Sequence, residues 1–282
     1  MNESLNMPKA KLEDLIALLW REKFKVLGPA IRDGSVTFDE VRRVSDLPVG
    51  IRESQEPGRY RLGPGDAGEV FGVVNGAGSL KPFFFAPEET LLELQLKQRT
   101  FKVSEVLPAA SRLAFIGVRA CDLAALAIQD RIFLHDQFRD THYAARRKDA
   151  LLIAINCTRS AATCFCVSMG TGPEAASGFD LSLTEMDDHF VVRSGSQAGD
   201  TIVEKIELTP ATKEQVAAAS ARIEQCANGM QRHLDISDLP RLLYEEAENP
   251  RWNDVASAVS HARTARWCAP LAFVTRWWMC RR

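Results

Sequence analysis

The chain lacks any apolar run long enough to span a bilayer, and it carries little net charge. Its 35 Lys and Arg stand against 37 Asp and Glu, leaving −2 at pH 7. The first absence argues against a membrane-spanning protein. The second removes the general electrostatic case for nucleic-acid binding. The first residues, Met1 to Asn6, lack the charged and apolar regions of a secretory signal, so the cytoplasm is the expected compartment. What remains is an ordinary globular composition, 282 residues with 46% hydrophobic content, enough for one large core or two smaller ones.

Against this plain background the cysteines stand out. Three of the seven, Cys157, Cys164 and Cys166, fall in the single stretch from Asn156 to Pro173. In a chain with no secretory signal, cysteines crowded this closely read as thiolate ligands or redox groups rather than a disulfide framework. A fourth, Cys121, follows the apolar run Leu113 to Val118, as Cys157 follows the run Leu151 to Ile155. If those two β-rich runs are neighbouring parallel strands, their carboxyl ends bring Cys121 and Cys157 to one edge, with Cys164 and Cys166 looping back. Four thiolates suit an iron–sulfur cluster or zinc. Cys226 reads as packing. His189 is the histidine nearest the cysteines and could complete a zinc site, but its place at a hairpin tip favours solvent. Gly170 and Gly172 allow either close backbone approach to an anionic cluster or a tight turn before Pro173.

The expected fold is mixed α/β: an N-terminal helix and β layer, a central α/β unit and a helical C-terminal part. The corresponding regions are 1–110, 111–210 with the cysteines, a helical linker over 211–257, and a tail over 258–282. Lys11 to Lys23 has helical apolar spacing. Lys25 to Ile31 and Ser35 to Phe38 flank Asp33-Gly34 as a hairpin, and Arg59 to Leu62 and Val70 to Val74 read as strands around a glycine-rich turn. That turn, Gly63 to Gly68, matches a dinucleotide-binding string, but β-prone residues follow where a helix is required, so it reads as a turn. A helix is expected from Pro87 to Lys97. Then strand and helix alternate: Leu113 to Val118, Asp122 to Phe133, Asp140 to Arg147 and Leu151 to Ile155. A hairpin follows around Asp187-Asp188, then helices over Lys213 to Met230 and Asp235 to Glu248.

The tail differs in character. Ala258 to Arg282 holds five arginines, no lysine, no acid and three of the five tryptophans, and setting it aside leaves 30 basic residues against 37 acidic ones. A cysteine codon shifted by one frame ends in the first two bases of a valine or alanine codon. Val259, Ala262, Ala265, Ala269, Ala272 and Val274 therefore mark hidden cysteines, the first four at ferredoxin spacing, with Pro270 supplying the proline that follows the fourth. The letters are compatible with a frameshift near residue 257 that destroys a cluster-binding segment, and sequencing the locus decides between that and a true basic tail.

Four segments together carry a family likeness: Gln55 to Leu62, Ser79 to Pro87, Gly117-Val118-Arg119-Ala120-Cys121-Asp122-Leu123, and Asn156-Cys157 through Thr163-Cys164-Phe165-Cys166 to Pro173. On these the chain resembles the iron–sulfur beta subunit of cytosolic sulfhydrogenases, the nickel–iron hydrogenases linked to NAD(P), and the related iron–sulfur subunit of anaerobic sulfite reductase. The resemblance implies an electron-transfer protein that does no bond chemistry alone and carries four-iron four-sulfur clusters. Its implied partners are a subunit that binds flavin and NAD(P), together with a nickel–iron hydrogenase or sulfite reductase catalytic subunit. The family ends in a two-cluster ferredoxin-like segment, from which this chain departs after Ser257; Cys268 and Cys280 are then not ligands. A zinc-stabilised interaction module is the reading from another class.

Overall fold

The computed structural model describes residues 4–261 except 57, 58, 75, 77, 98, 99 and 110. In chain order the strands are β1 (Leu5–Pro8), β2 (Lys25–Arg32), β3 (Ser35–Glu40), β4 (Ile51–Glu56), β5 (Arg59–Pro64), β6 (Leu92–Lys97), β7 (Thr100–Glu105), β8 (Leu113–Val118), β9 (Leu151–Ile155), β10 (Leu181–Glu185), β11 (His189–Ser194) and β12 (Thr209–Pro210). The helices are α1 (Lys11–Arg21), α2 (Lys81–Phe84), α3 (Ala120–Leu134), α4 (Thr141–Arg147), α5 (Gln197–Ile206), α6 (Lys213–Asn228), α7 (Leu239–Glu245) and α8 (Arg251–His261).

Eight strands form one mixed sheet in the order β12-β1-β11-β10-β9-β8-β2-β3. Its centre, β10-β9-β8-β2, is parallel, and antiparallel strands close it on both sides. Every residue of β8 and β9 is buried, as expected of parallel strands covered on both faces. Alternation sorts their side chains. Ala114, Ile116, Leu151, Ile153 and Ile155 pack with α1 and α5, whereas Leu113, Phe115, Leu152 and Ala154 pack with Phe84, α3 and Tyr143 of α4. The sheet is thus a middle layer between two helical layers. Strands from before residue 110 and after it share this sheet.

The Asp33-Gly34 hairpin is present, both turn residues at positive φ (49° and 72°). No helix follows Gly63 to Gly68, in keeping with a plain turn. Two expectations are corrected. Residues 92–97 are not helical but form β6, paired with β7 in a separate hairpin. Leu, Glu, Gln and Lys favour a helix, yet Leu92, Leu94 and Leu96 alternate with polar residues, and the period of two prevailed over propensity. Val70 to Val74 is not a strand but an irregular strap, buried at Val70, Phe71, Val73 and Val74. The partner of β5 is β4 instead.

The strap is irregular because charged side chains, rather than a neighbouring strand, satisfy its backbone. The Glu185 carboxylate accepts from Val70 N (2.7 Å) and Phe71 N (2.9 Å), and Glu53 accepts from Val74 N (3.0 Å). Arg119 donates to the Phe71 and Val73 carbonyls, and Arg159 donates to that of Gly72. Hydrogen bonds to ionised groups are stronger than ladder bonds, so a buried segment without a strand partner is still held in place.

Candidate metal centre

At the carboxyl end of β8, Gly117 takes φ +91°, and a Cβ there would meet Pro29 Cδ at 2.7 Å. The pairing of β8 with β9 shifts register at this point, a bulge that precedes the turn into α3. The Asp122 carboxylate then accepts the Arg119 backbone N–H (3.0 Å) and closes the first turn of α3. Cys121 stands in that first turn.

One strand over, Asn156 and Cys157 follow β9. Asn156 is buried and anchors the cysteine loop: its amide donates to Ser182 Oγ and Thr184 Oγ1, and its carbonyl oxygen accepts from Ala175 N. Further on, Arg159 pairs with the fully buried Glu53 carboxylate at 2.6 Å, and Thr163 Oγ1 donates to Gln55 at 2.6 Å. Successive tight turns carry the chain past Cys164 and Cys166, with Cys164 N bonded to Ala161 O and Met169 N to Cys166 O.

These elements bring Cys121, Cys157, Cys164 and Cys166 to the lining of one cavity of about 300 Å³. The other walls are mainly apolar, including Val74, Ile128, Phe165, Met169 and Met230. Cys226 of α6 is buried directly behind, packed with Cys157 and Met230. Met230 Sδ lies 3.9 Å from Cys166 Sγ. Among the described residues no three Cys, His, Asp or Glu side chains converge as a single metal ion requires. The four thiols share the lining of one cavity. A four-iron four-sulfur cluster takes one thiolate per iron.

Burial holds these thiols in their protonated form. Burial, then Asp122 and the other cysteines, pushes the Cys121 thiol up, against the helix N-terminus that would favour a thiolate. Burial raises Cys157 too, opposed by Arg119, and raises Cys164. Cys166 is pushed up to about 11 by burial and then by Cys157 and Cys164. Thiols so placed keep their protons until a metal displaces them. The donor set, the apolar walls and the cavity therefore fit an iron–sulfur cluster.

The two glycines behave differently. Gly170 sits at φ +64° in open space, and its N–H donates to Val167 O within a turn. A Cβ on Gly172 would lie 3.0 Å from Cys166 Sγ and 3.3 Å from Ala120 Cβ, so its bare backbone lets the Cys166 and α3 sides of the cavity meet. His189, expected in solvent, is mostly covered and pairs with Asp188 at 2.6 Å; it does not line the cavity. The residues that sequence reasoning missed are Arg119 and Asn156. Both sit inside motifs flanking the cysteines, which is the signal that could have marked them.

No protein-family model matches the chain. Over 183 residues it is 30% identical to sulfhydrogenase 2 subunit beta of Pyrococcus furiosus. The chain is thus similar to part of one sulfhydrogenase beta subunit. The match takes in 65% of this chain and 46% of that protein, so it spans about half the length of the curated relative. No helix among the described residues is long and apolar enough to cross a membrane. Of the tail 258–282, residues 262–282, with every position of the frameshift signature except Val259, lie outside the described residues.

Proposed function

We propose that this chain is an electron-transfer component of a multi-subunit cytoplasmic oxidoreductase. In this reading Cys121, Cys157, Cys164 and Cys166 hold one four-iron four-sulfur cluster. The observation that carries it is the meeting of four thiols from the ends of two parallel strands and one loop around a single apolar cavity. When bound, such a cluster takes up and gives back one electron at a time. The protein's part is to hold four deprotonated thiols, exclude water with Val74, Met230 and Phe165, and keep the geometry unchanged between oxidation states. Rigidity comes from Asn156, Arg159 and Thr163, which tie the loop to β10, β4 and the strap.

The relative's printed name, subunit beta of a sulfhydrogenase, supports a place in such a complex. Its partners are then a subunit that binds flavin and NAD(P), together with a nickel–iron hydrogenase catalytic subunit; anaerobic sulfite reductase is the alternative assembly. Residues 211–257 serve as the connection from the cysteine-bearing body toward further redox centres. Purifying the full chain without oxygen tests the reading. A brown protein absorbing broadly near the blue edge of the visible, with iron and sulfide bound, is expected; a colourless protein with stoichiometric zinc overturns it in favour of a zinc-stabilised interaction module.

A further inference from the structure

Resting on the cluster reading above, we infer that Arg119 is the buried counter-cation behind Cys157, setting the potential at which a cluster held by that thiol accepts an electron. Arg119 is 5% exposed, and its Nη1 lies 3.8 Å from Cys157 Sγ. Its Nη2 is fixed by the carbonyls of Phe71 (2.7 Å) and Val73 (2.6 Å).

A guanidinium this deep is destabilising unless something anionic faces it. Arg159 solves the same problem differently. It lines the thiol cavity itself, which Arg119 meets only through Cys157, and its charge is matched by Glu53, whose carboxylate is fully buried against it at 2.6 Å. Arg119 is oriented by carbonyl dipoles, which aim its charge without cancelling it, and the remaining edge of the guanidinium faces a cysteine sulfur. Asp122, the nearby carboxyl, accepts the Arg119 backbone N–H rather than pairing with the guanidinium tip.

A cluster bound by four thiolates is anionic, and more so after reduction. A fixed positive charge beside one of its sulfurs in a low-dielectric site therefore stabilises the reduced form more than the oxidised one and raises the midpoint potential. Reduction adds one electron to the cluster from an external donor, and no bond to Arg119 forms or breaks. Arg119 is thus a positioning and tuning residue, and the strap from Val70 to Val74 is the brace that fixes its distance from the sulfur.

The test compares Arg119→Lys, which keeps the charge, with Arg119→Gln, which keeps hydrogen-bonding capacity without it. The full chain is reconstituted anaerobically with iron and sulfide and titrated potentiometrically by electron paramagnetic resonance. The expected result is a Lys variant near wild type, and a Gln variant whose midpoint moves to more negative potential or which fails to retain iron while Lys retains it. Equal behaviour of the two overturns the inference, whether both match wild type or both fold without iron, since shape alone then matters. Wild-type protein that takes up no iron would reject the cluster reading itself, which separates the two failures.

Discussion

Cys226 shows how strongly burial bears on the chemistry of a thiol in this molecule. It is 4% exposed, and burial, followed by Cys157, Cys166 and Cys164, pushes its thiol from 9.0 up to about 12. The folded chain holds this proton more tightly than the unfolded chain does. The resulting stability is complete below pH 9 and is lost as pH rises from 9 toward 12. Urea unfolding of metal-free protein should show stability falling across that window, with a shallower fall in Cys226→Ala. An identical slope in the variant would contradict the assignment. At the same scale, a side chain at Gly172 would crowd Cys166, its Cβ lying 3.0 Å from Cys166 Sγ, so glycine there spares the thiol a displacement.

Among the elements, the strap from Val70 to Val74 depends on two buried carboxylates. Glu185 accepts from two of its amides while paired with Lys9 at 2.7 Å. Replacing Glu185→Ala leaves two buried N–H groups without their acceptor and the Lys9 ammonium with only the Gly68 carbonyl, and is expected to cost about 3–5 kcal/mol in urea unfolding. A loss under about 1 kcal/mol would mean that the strap finds other partners.

The same element marks where sequence stops being informative. The strands bearing the thiols were legible because β8 and β9 are short, unbroken apolar runs, each followed by a cysteine, and such runs in alternation with helices imply a parallel pair. The strap was not legible. Its composition is that of a strand, and the acceptor that prevents one from forming, Glu185, is 115 residues from Val70. Residues 92–97 failed differently, because strong helix formers were weighed above their two-residue alternation. Leu94 and Leu96, each 65% exposed, show that this hairpin forms without a core beneath that face.

For the whole molecule, the sheet is the device that makes a metal centre possible. Parallel central strands deliver Cys121 and Cys157 to the same edge, and Cys226 of α6 with the following Met230 closes the back. The similarity to a sulfhydrogenase beta subunit extends over 65% of the chain. The central claim is that four particular thiols, and not the fifth, hold one cluster. Its most direct test is iron and sulfide content with visible absorption across the series Cys121→Ala, Cys157→Ala, Cys164→Ala, Cys166→Ala and Cys226→Ala, each reconstituted anaerobically in the full chain. Wild type and the Cys226 variant are expected to bind roughly four irons and four sulfides and to share one absorption band, while each of the other four variants loses it. Retention of full iron content and colour in Cys164→Ala, or their loss in Cys226→Ala alone, would contradict the account.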